Sequence, residues 1–262
     1  MIYMNNHKFI VSDIDGTLMP DTRQLPEELF GVIRQLTGMG VRFAIASGRQ
    51  LRNMQQLFEP CVEDLLFIAH NGATIAEGKT ILTDSRISPA EVQRCIDYGR
   101  AHGLSTMLYT PETVMIDDRS EVLHDFLSSH WVPFEVCDTL DDYTDNIAKL
   151  SLVNLNGIAD GMREEVESLN VAAFKANRFM IDVTAVGTNK GVALQWLCNH
   201  YGLDLDDTYA FGDSENDLDM LTLAGHPYAV SNAPEKVKAV AQVVPSNNEG
   251  GVITTLKEIF NI

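Results

Sequence analysis

The chain has 262 residues, with 37 acidic side chains against 19 Lys plus Arg, so its formal net charge is −18. At ~100–200 residues per domain this length allows one large domain or two modest ones, and 45% hydrophobic with 21% charged residues excludes a disordered chain. The acidic excess argues against nucleic acid or an anionic membrane as partner, because gripping many phosphates takes clustered Lys and Arg. It leaves room for one small phosphorylated ligand held through a bound cation.

The four cysteines, Cys61, Cys95, Cys137 and Cys198, are far apart, with no C-x-x-C and no Cys/His cluster at metal-ligand spacing. Zinc and redox readings are therefore weak. The apolar run Phe9-Ile10-Val11 stops at Ser12 and Asp13, which is not a signal peptide. No stretch approaches the ~20 apolar residues that span a bilayer. The expectation is a soluble, cytoplasmic protein with free thiols, a monomer or homodimer.

The first third alternates strands and helices. A buried parallel strand is expected over 7–12, then a helix opened by Pro26-Glu27-Glu28 and stopped by Gly38 and Gly40. A strand over 41–46, a helix over 50–58, a strand over 66–69 and strand-like pieces flanking Gly78 follow. That order implies parallel strands with right-handed crossovers.

The middle reads differently. Ser88-Pro89-Ala90-Glu91 caps a helix reaching about His102. The runs 104–110 and 113–117, split by Pro111-Glu112, suggest a hairpin. After the acidic stretch Asp138, Asp141, Asp142 and Asp145 come a β run over 147–154, a helix over 160–168 and a second hairpin over 171–175 and 178–183. The last third resumes the α/β rhythm: helix 189–201, strand 208–211, helix 218–223, strand 228–230, helix 234–241 and helix 251–260. The fold class expected is α/β, a Rossmann-like parallel sheet core (1–83 plus 187–262) with an inserted α+β cap domain (84–186). That insert holds 8 basic and 18 acidic side chains, more than half of the net charge.

Chemistry concentrates just past strands, where parallel sheets build their sites. Asp13-Ile14-Asp15-Gly16-Thr17 aims two carboxylates at one point, and burying both is costly unless a cation or proton intervenes. A hard divalent ion, most simply Mg²⁺, answers that need; the plainer reading is an acidic turn. Gly212-Asp213-Ser214-Glu215-Asn216-Asp217 brings Asp213 and Asp217 to another strand end. Helix capping explains one or two of those acids, but not two Asp clusters on one sheet. Ala46-Ser47-Gly48-Arg49 offers a hydroxyl and helix N-terminal amides to an anion, or simply an N-cap serine. Lys190 begins the helix after the insert, where a lysine is slightly disfavoured by the dipole and is ordinarily a solvated surface charge.

The order D-x-D-G-T, S-G-R, N-K-G and G-D-S-x-N-D resembles the haloacid dehalogenase superfamily of aspartate-nucleophile phosphatases. An insert after Asn71-Gly72-Ala73, with Ser231-Asn232-Ala233-Pro234 and Asn248-Glu249-Gly250-Gly251-Val252, is similar to its Cof-type subgroup (HAD-IIB). The resemblance implies Asp13 as nucleophile and Asp15 as acid and base, with Asp15 also giving its backbone carbonyl to the metal. It implies Mg²⁺ held by Asp13, Asp15 and Asp213, with Asp217 as a further or outer carboxylate. Ser47, the Gly48 amide, Lys190 and Asn216 would hold phosphoryl oxygens; Arg49 and Asn71 would meet the leaving group. The insert would close over the site and supply specificity, and its aromatic residues Tyr109, Trp131 and Tyr143 either pack or touch ligand. The expected partner is a small phosphorylated metabolite, a sugar phosphate or pyridoxal phosphate. Two other readings stand beside the phosphatase: a phosphotransferase or phosphomutase using the same Asp13, and a non-enzymatic phospho-acceptor switch, which needs neither Asp15 nor a large insert.

Overall fold

The computed structural model describes residues 8–110, 113–129 and 133–262; Pro111, Glu112 and Trp131 lie outside them. The chain divides into two compact units. One runs to Thr83 and resumes at Asn189, and the other is Asp84–Thr188.

In chain order the first unit supplies β1 (Phe9–Asp13), α1 (Glu27–Gly38), β2 (Arg42–Ala46), α2 (Leu51–Leu57), β3 (Leu65–Ala69), β4 (Thr74–Glu77) and β5 (Thr80–Asp84). The second supplies α3 (Pro89–Ala101), β6 (Ser105–Tyr109), β7 (Val114–Ile116), α4 (Glu121–Ser129), β8 (Phe134–Val136), β9 (Lys149–Val153), α5 (Met162–Glu167), β10 (Val171–Asn177) and β11 (Met180–Ala185). The first then resumes with α6 (Lys190–Tyr201), β12 (Thr208–Gly212), α7 (Leu218–Leu223), β13 (His226–Val230), α8 (Glu235–Lys238), β14 (Gln242–Val244) and α9 (Gly251–Phe260).

The first unit's sheet has the order β14-β13-β12-β1-β2-β3-β4-β5. Strands β14 to β3 pair in parallel, but β4 runs antiparallel to β3. The link between those two is a single turn at His70–Gly72, far shorter than the dozen residues a parallel crossover needs. The sheet is therefore mixed at this edge rather than parallel throughout.

Strand residues alternate between two packed layers, as a sheet covered on both faces requires. Ile10, Phe43, Ile45, Phe67, Phe211 and Val230 face α1 and α9 through Leu29, Ile33, Leu36, Val252 and Leu256. Phe9, Val11, Ala44, Ala46, Ala210 and Ala229 face α6 and α7 through Leu194, Leu197, Met220 and Leu221. The alanines on this second face let α6 sit close to the sheet, with its first residue at the carboxyl edge beside Asp13.

The second unit's sheet runs β10-β11-β9-β6-β7-β8. One face, with Leu108, Leu150, Leu152, Ile181 and Val183, packs on Val92, Cys95 and Ile96 of α3 and Val166 of α5. α3 starts at a capping box in which Ser88 and Glu91 satisfy each other's backbone N–H groups. This unit ends two residues beyond the expected 186, because Thr188 turns back onto Ala185 and Asn189 caps α6.

Three elements were not anticipated: α4, β8 and β14. The spacing Val122, Leu123, Phe126, Leu127 does carry a helical signal for α4, and Leu123 and Leu127 are buried. β8 and β14 have three residues each, too short to display an alternation. α8 stops at Lys238, short of the expected 241, and residues 239–241 turn the chain into β14. Pro26 is the N-cap of α1 rather than its first helical residue. Among the described residues, no helix is long and apolar enough to cross a membrane.

Candidate active site

β1 delivers Asp13, almost wholly buried, to the carboxyl edge of the sheet. Gly16 then turns the chain at φ +84°, where a Cβ would lie 2.6 Å from Asp213 Oδ2; no larger residue allows so close an approach. Lys190, the first residue of α6, points back to that edge with no solvent exposure. Its Nζ donates to Asp13 Oδ1 at 2.6 Å and to Asp217 Oδ1 at 2.6 Å. Asn189 caps the helix by accepting from the Val192 N–H at 2.7 Å. The lysine at a helix N-terminus, unfavourable by dipole alone, is thus compensated by two buried carboxylates.

Asp217 is committed on both sides. Its Oδ2 accepts the N–H groups of Asp213 (3.0 Å) and Ser214 (2.9 Å). The capping role considered for this segment and a role in the carboxylate cluster therefore coexist in one residue. Asp213 accepts from Thr17 Oγ1 at 2.8 Å and from Ser214 Oγ at 3.1 Å. Burial pushes the Asp13 carboxyl well above the ordinary carboxylate range; Lys190 opposes this, while Asp217, Asp213 and Asp15 reinforce it. Burial, with repulsion from Asp217, holds Asp213 up to about 6 against the Thr17 and Ser214 hydrogen bonds. Burial pulls the Lys190 ammonium down, but Asp13 and Asp217 outweigh it and keep it charged.

Oxygens of Asp13, Asp213 and Asp217 lie within 4.8 Å of one another. Three carboxylates against one ammonium leave an excess of negative charge in an all-oxygen donor set. That chemistry fits a hard divalent cation such as Mg²⁺, which would relieve the repulsion raising Asp13 and Asp213. Asp217 is fixed by a buried ammonium and two backbone N–H groups, whereas Asp213 accepts only from two hydroxyls, so Asp13 and Asp213 are the better-placed ligands and Asp217 the residue that braces them.

Asp15 does not join this cluster. Its carboxylate is half exposed and gripped by Arg49 in a two-pronged pair, Nε to Oδ2 at 2.8 Å and a terminal nitrogen to Oδ1 at 2.6 Å. The hydrogen bond to Asp15 in turn raises the Arg49 pKa. Arg49 is accordingly placed as the partner of Asp15, where the resemblance had suggested a leaving-group contact.

Ser47 is buried, and its Oγ accepts the Arg49 N–H at 3.2 Å. α2 starts only at Leu51 with Gln50 as its cap, so Ser47 is not an N-cap and sits on a loop ahead of the helix. Three residues intervene, Gly48 among them. The N–H of Asn71 (φ 55°) bonds the Ser47 carbonyl at 3.0 Å. Asn216 Nδ2 donates to Asn71 Oδ1 at 2.9 Å, while Asn216 Oδ1 is buried without a hydrogen-bond partner. The loops after β2, β3 and β12 are thus joined through Ser47, Asn71 and Asn216. Gly72 makes the junction possible: a Cβ there would meet the Asn189 carbonyl at 2.3 Å.

Sequence reasoning offered Ser214 as an N-cap, which it is, and gave no role to Thr17, Asn232 or Asn247. Asn232 Nδ2 donates to the Gly16 carbonyl at 2.8 Å. Asn247 donates its N–H to Asn232 Oδ1 at 3.1 Å and its Nδ2 to the Met19 carbonyl at 3.0 Å. The motifs Ser231-Asn232-Ala233-Pro234 and Asn248-Glu249-Gly250-Gly251 were the available signal; they mark a brace under the loop after β1.

A largely parallel α/β sheet covered on both faces, with an aspartate cluster at its strand ends, defines the class. Residues 10–256 match the family model of haloacid dehalogenase-like hydrolases, and the chain belongs to that family. It is 26% identical over 274 residues to 5-amino-6-(5-phospho-D-ribitylamino)uracil phosphatase YbjI of Escherichia coli (strain K12), spanning 97% of this chain and 96% of that one. It is 27% identical to HMP-PP phosphatase of Cronobacter sakazakii (strain ATCC BAA-894) over 89% of this chain and 87% of the relative. The structure of the HAD subclass IIB sugar phosphatase BT4131 shares the fold, with a TM-score of 0.84 at 23% identity, covering 97% of this chain and 100% of the other.

Proposed function

We propose that the protein is a Mg²⁺-dependent phosphatase of small phosphorylated metabolites that works through an aspartyl phosphate on Asp13. One observation carries this: a buried aspartate at a strand end is hydrogen-bonded to a buried lysine that a second aspartate also holds, beside a third. A surface acidic turn has no need of a fully buried lysine. The phosphatases named among the relatives support a phosphorylated substrate, one carrying a phospho-ribityl group and one named HMP-PP.

In this reading an Asp13 oxygen attacks phosphorus, and the bond from phosphorus to the leaving oxygen breaks. For this step one Asp15 oxygen leaves Arg49 and carries a proton, which it gives to the leaving oxygen; Asp15 then takes a proton from the water that attacks the phosphoryl group. The bond between Asp13 and phosphorus breaks, and phosphate leaves. Arg49 positions Asp15 between these steps. Lys190 keeps Asp13 ionised and offsets charge on the equatorial oxygens, with Ser47, the Gly48 amide and a second Nδ2 hydrogen of Asn216 as further donors. Asp13, the Asp15 carbonyl and Asp213, with Asp217 behind, would hold Mg²⁺, which when bound would supply the charge neutralisation that phosphate needs in an acidic protein. The unit Asp84–Thr188 is assigned the role of substrate-specificity cap. A cytoplasmic location suits four cysteines that are all free thiols.

The test is release of inorganic phosphate from p-nitrophenyl phosphate with and without Mg²⁺, followed by a panel of phosphorylated metabolites. Mg²⁺-dependent release supports the reading. Transfer of the phosphoryl group to an added alcohol without free phosphate would replace it by a phosphotransferase, and a stable phosphoprotein without turnover by a switch.

A further inference from the structure

Asp13 is set by a strand and a buried lysine, but Asp15 rides on the loop that leaves β1. Its carboxylate is half exposed, so its aim depends on the backbone beneath it. That backbone has a soft point. Gly16 sits at φ +84° with Asp213 where a Cβ would stand, and glycine is the residue least able to hold its own conformation. The Met19 and Thr17 N–H groups donate to the Ile14 carbonyl at 2.8 and 3.3 Å. Those bonds close the turn without tying it to neighbouring loops.

The outer ties come from the loops after β13 and β14. Asn232 donates from Nδ2 to the Gly16 carbonyl at 2.8 Å. Its amide is turned that way by Asn247, whose N–H donates to Asn232 Oδ1 at 3.1 Å. Asn247 is buried, and its Nδ2 donates to the Met19 carbonyl at 3.0 Å. Met19 in turn lies against Arg49, with a terminal guanidinium nitrogen 3.7 Å from Sδ. The residue that Asn247 fixes therefore touches the side chain that grips Asp15.

In the sheet order β14-β13-β12-β1 these asparagines reach past β12 to the loop after β1. They fix its glycine and the residue against Arg49, the two places that set where Asp15 points. A general acid must stand within hydrogen-bond reach of the oxygen it protonates, and a misplacement of about 1 Å costs up to about 10²-fold. We propose that Asn232 and Asn247 are positioning residues for Asp15, acting through Gly16 and Met19; this rests on the reading of Asp15 as acid and base. Their loss should spare attack by Asp13 and impair only the expulsion of leaving groups that need a proton.

The experiment measures kcat/KM, which reports the step that expels the leaving oxygen, with Tm for each variant. The esters are glycerol 2-phosphate, whose alkoxide needs a proton, and p-nitrophenyl phosphate, whose leaving group does not. Asn232 is exposed, so Asn232→Ala is read first. It is expected to lower the ratio of the two values about 5- to 10-fold, the worth of one hydrogen bond. The p-nitrophenyl value and Tm should stay close to wild type. Asn247→Ala is expected to lower the ratio at least as far, with a lower Tm because the position is buried. Added to Asp15→Asn, Asn232→Ala should change the ratio no further, since its effect passes through Asp15.

An unchanged ratio in Asn232→Ala, an even loss on both esters, or losses that multiply in the double variant would overturn the inference and leave the phosphatase reading standing. A wild type that releases phosphate from p-nitrophenyl phosphate only, or an Asp15→Asn variant with equal losses on both esters, would show no working acid at Asp15. Either result overturns that role, and the inference with it. A wild type that hydrolyses neither ester overturns the phosphatase reading as a whole.

Discussion

Each unit buries a lysine against aspartate, and the two differ in what they leave over. Lys190 meets two carboxylates with a third beside them, so the site keeps a negative surplus. Lys149 meets one carboxylate and a set of hydroxyls, so its site is neutral. The first arrangement calls for a cation, and through it for phosphate. The second is balanced within itself. The −18 net charge of the chain says nothing about either until its acids are sorted by place.

The largest effect expected is at Asp13. Asp13→Asn should lower turnover by at least about 10³-fold, as loss of a nucleophile does, with the fold retained by circular dichroism. Asp15→Asn should cost about 10²–10⁴-fold on an alkyl phosphate, the usual worth of a general acid. It should cost much less on p-nitrophenyl phosphate, whose leaving group needs no proton. Equal losses on the two would remove Asp15 from the acid role.

The contrast between the lysines is sharpened by deleting each. Lys190→Met strands buried carboxylates and should destabilise by about 3–5 kcal/mol, with part of the loss recovered on adding Mg²⁺. Lys149→Met strands a single carboxylate, so its loss should be smaller and indifferent to Mg²⁺. Thermal unfolding of both variants with and without the ion checks this; the same Mg²⁺ response in both would erase the distinction.

A smaller effect concerns Mg²⁺ and pH together. Asp213 is held up to about 6 by burial and by Asp217, against about 4 in an unfolded chain. A carboxyl raised on folding binds its proton more tightly in the folded state. Its contribution to stability is therefore present below pH 4 and lost as pH rises through 6. Mg²⁺ competes with that proton, so the rise in Tm on adding Mg²⁺ should be greatest above pH 7 and shrink below 6. In Asp213→Asn the rise should be largely gone at every pH.

Much of the first site was legible because its parts sit in short motifs at strand ends. Asp13, Asp213 and Asp217 follow β1 and β12, and sheet topology alone brings those ends together. Lys190 looked like a surface charge, since its bond to Asp13 spans 177 residues of sequence. The pairing of Arg49 with Asp15 was hidden for the same reason. α2 begins at Leu51, within a residue of the expected start, but Ser47 is separated from it by a loop and so is not at the helix N-terminus as the motif suggested. In the second unit the alternations Lys149-Leu150-Ser151-Leu152 and Asp182-Val183-Thr184 announce a polar face. They cannot announce that this face is buried. Tyr109 is buried there, while Tyr143 is exposed.

The central claim is that Asp13 carries the phosphoryl group. The direct test is rapid quench of the enzyme during turnover of p-nitrophenyl phosphate with Mg²⁺, followed by mass mapping of the protein. One phosphoryl group on the peptide containing Asp13, absent from Asp13→Asn, is the result expected. Full turnover by Asp13→Asn, or a phosphoryl group trapped on any other residue, would contradict it.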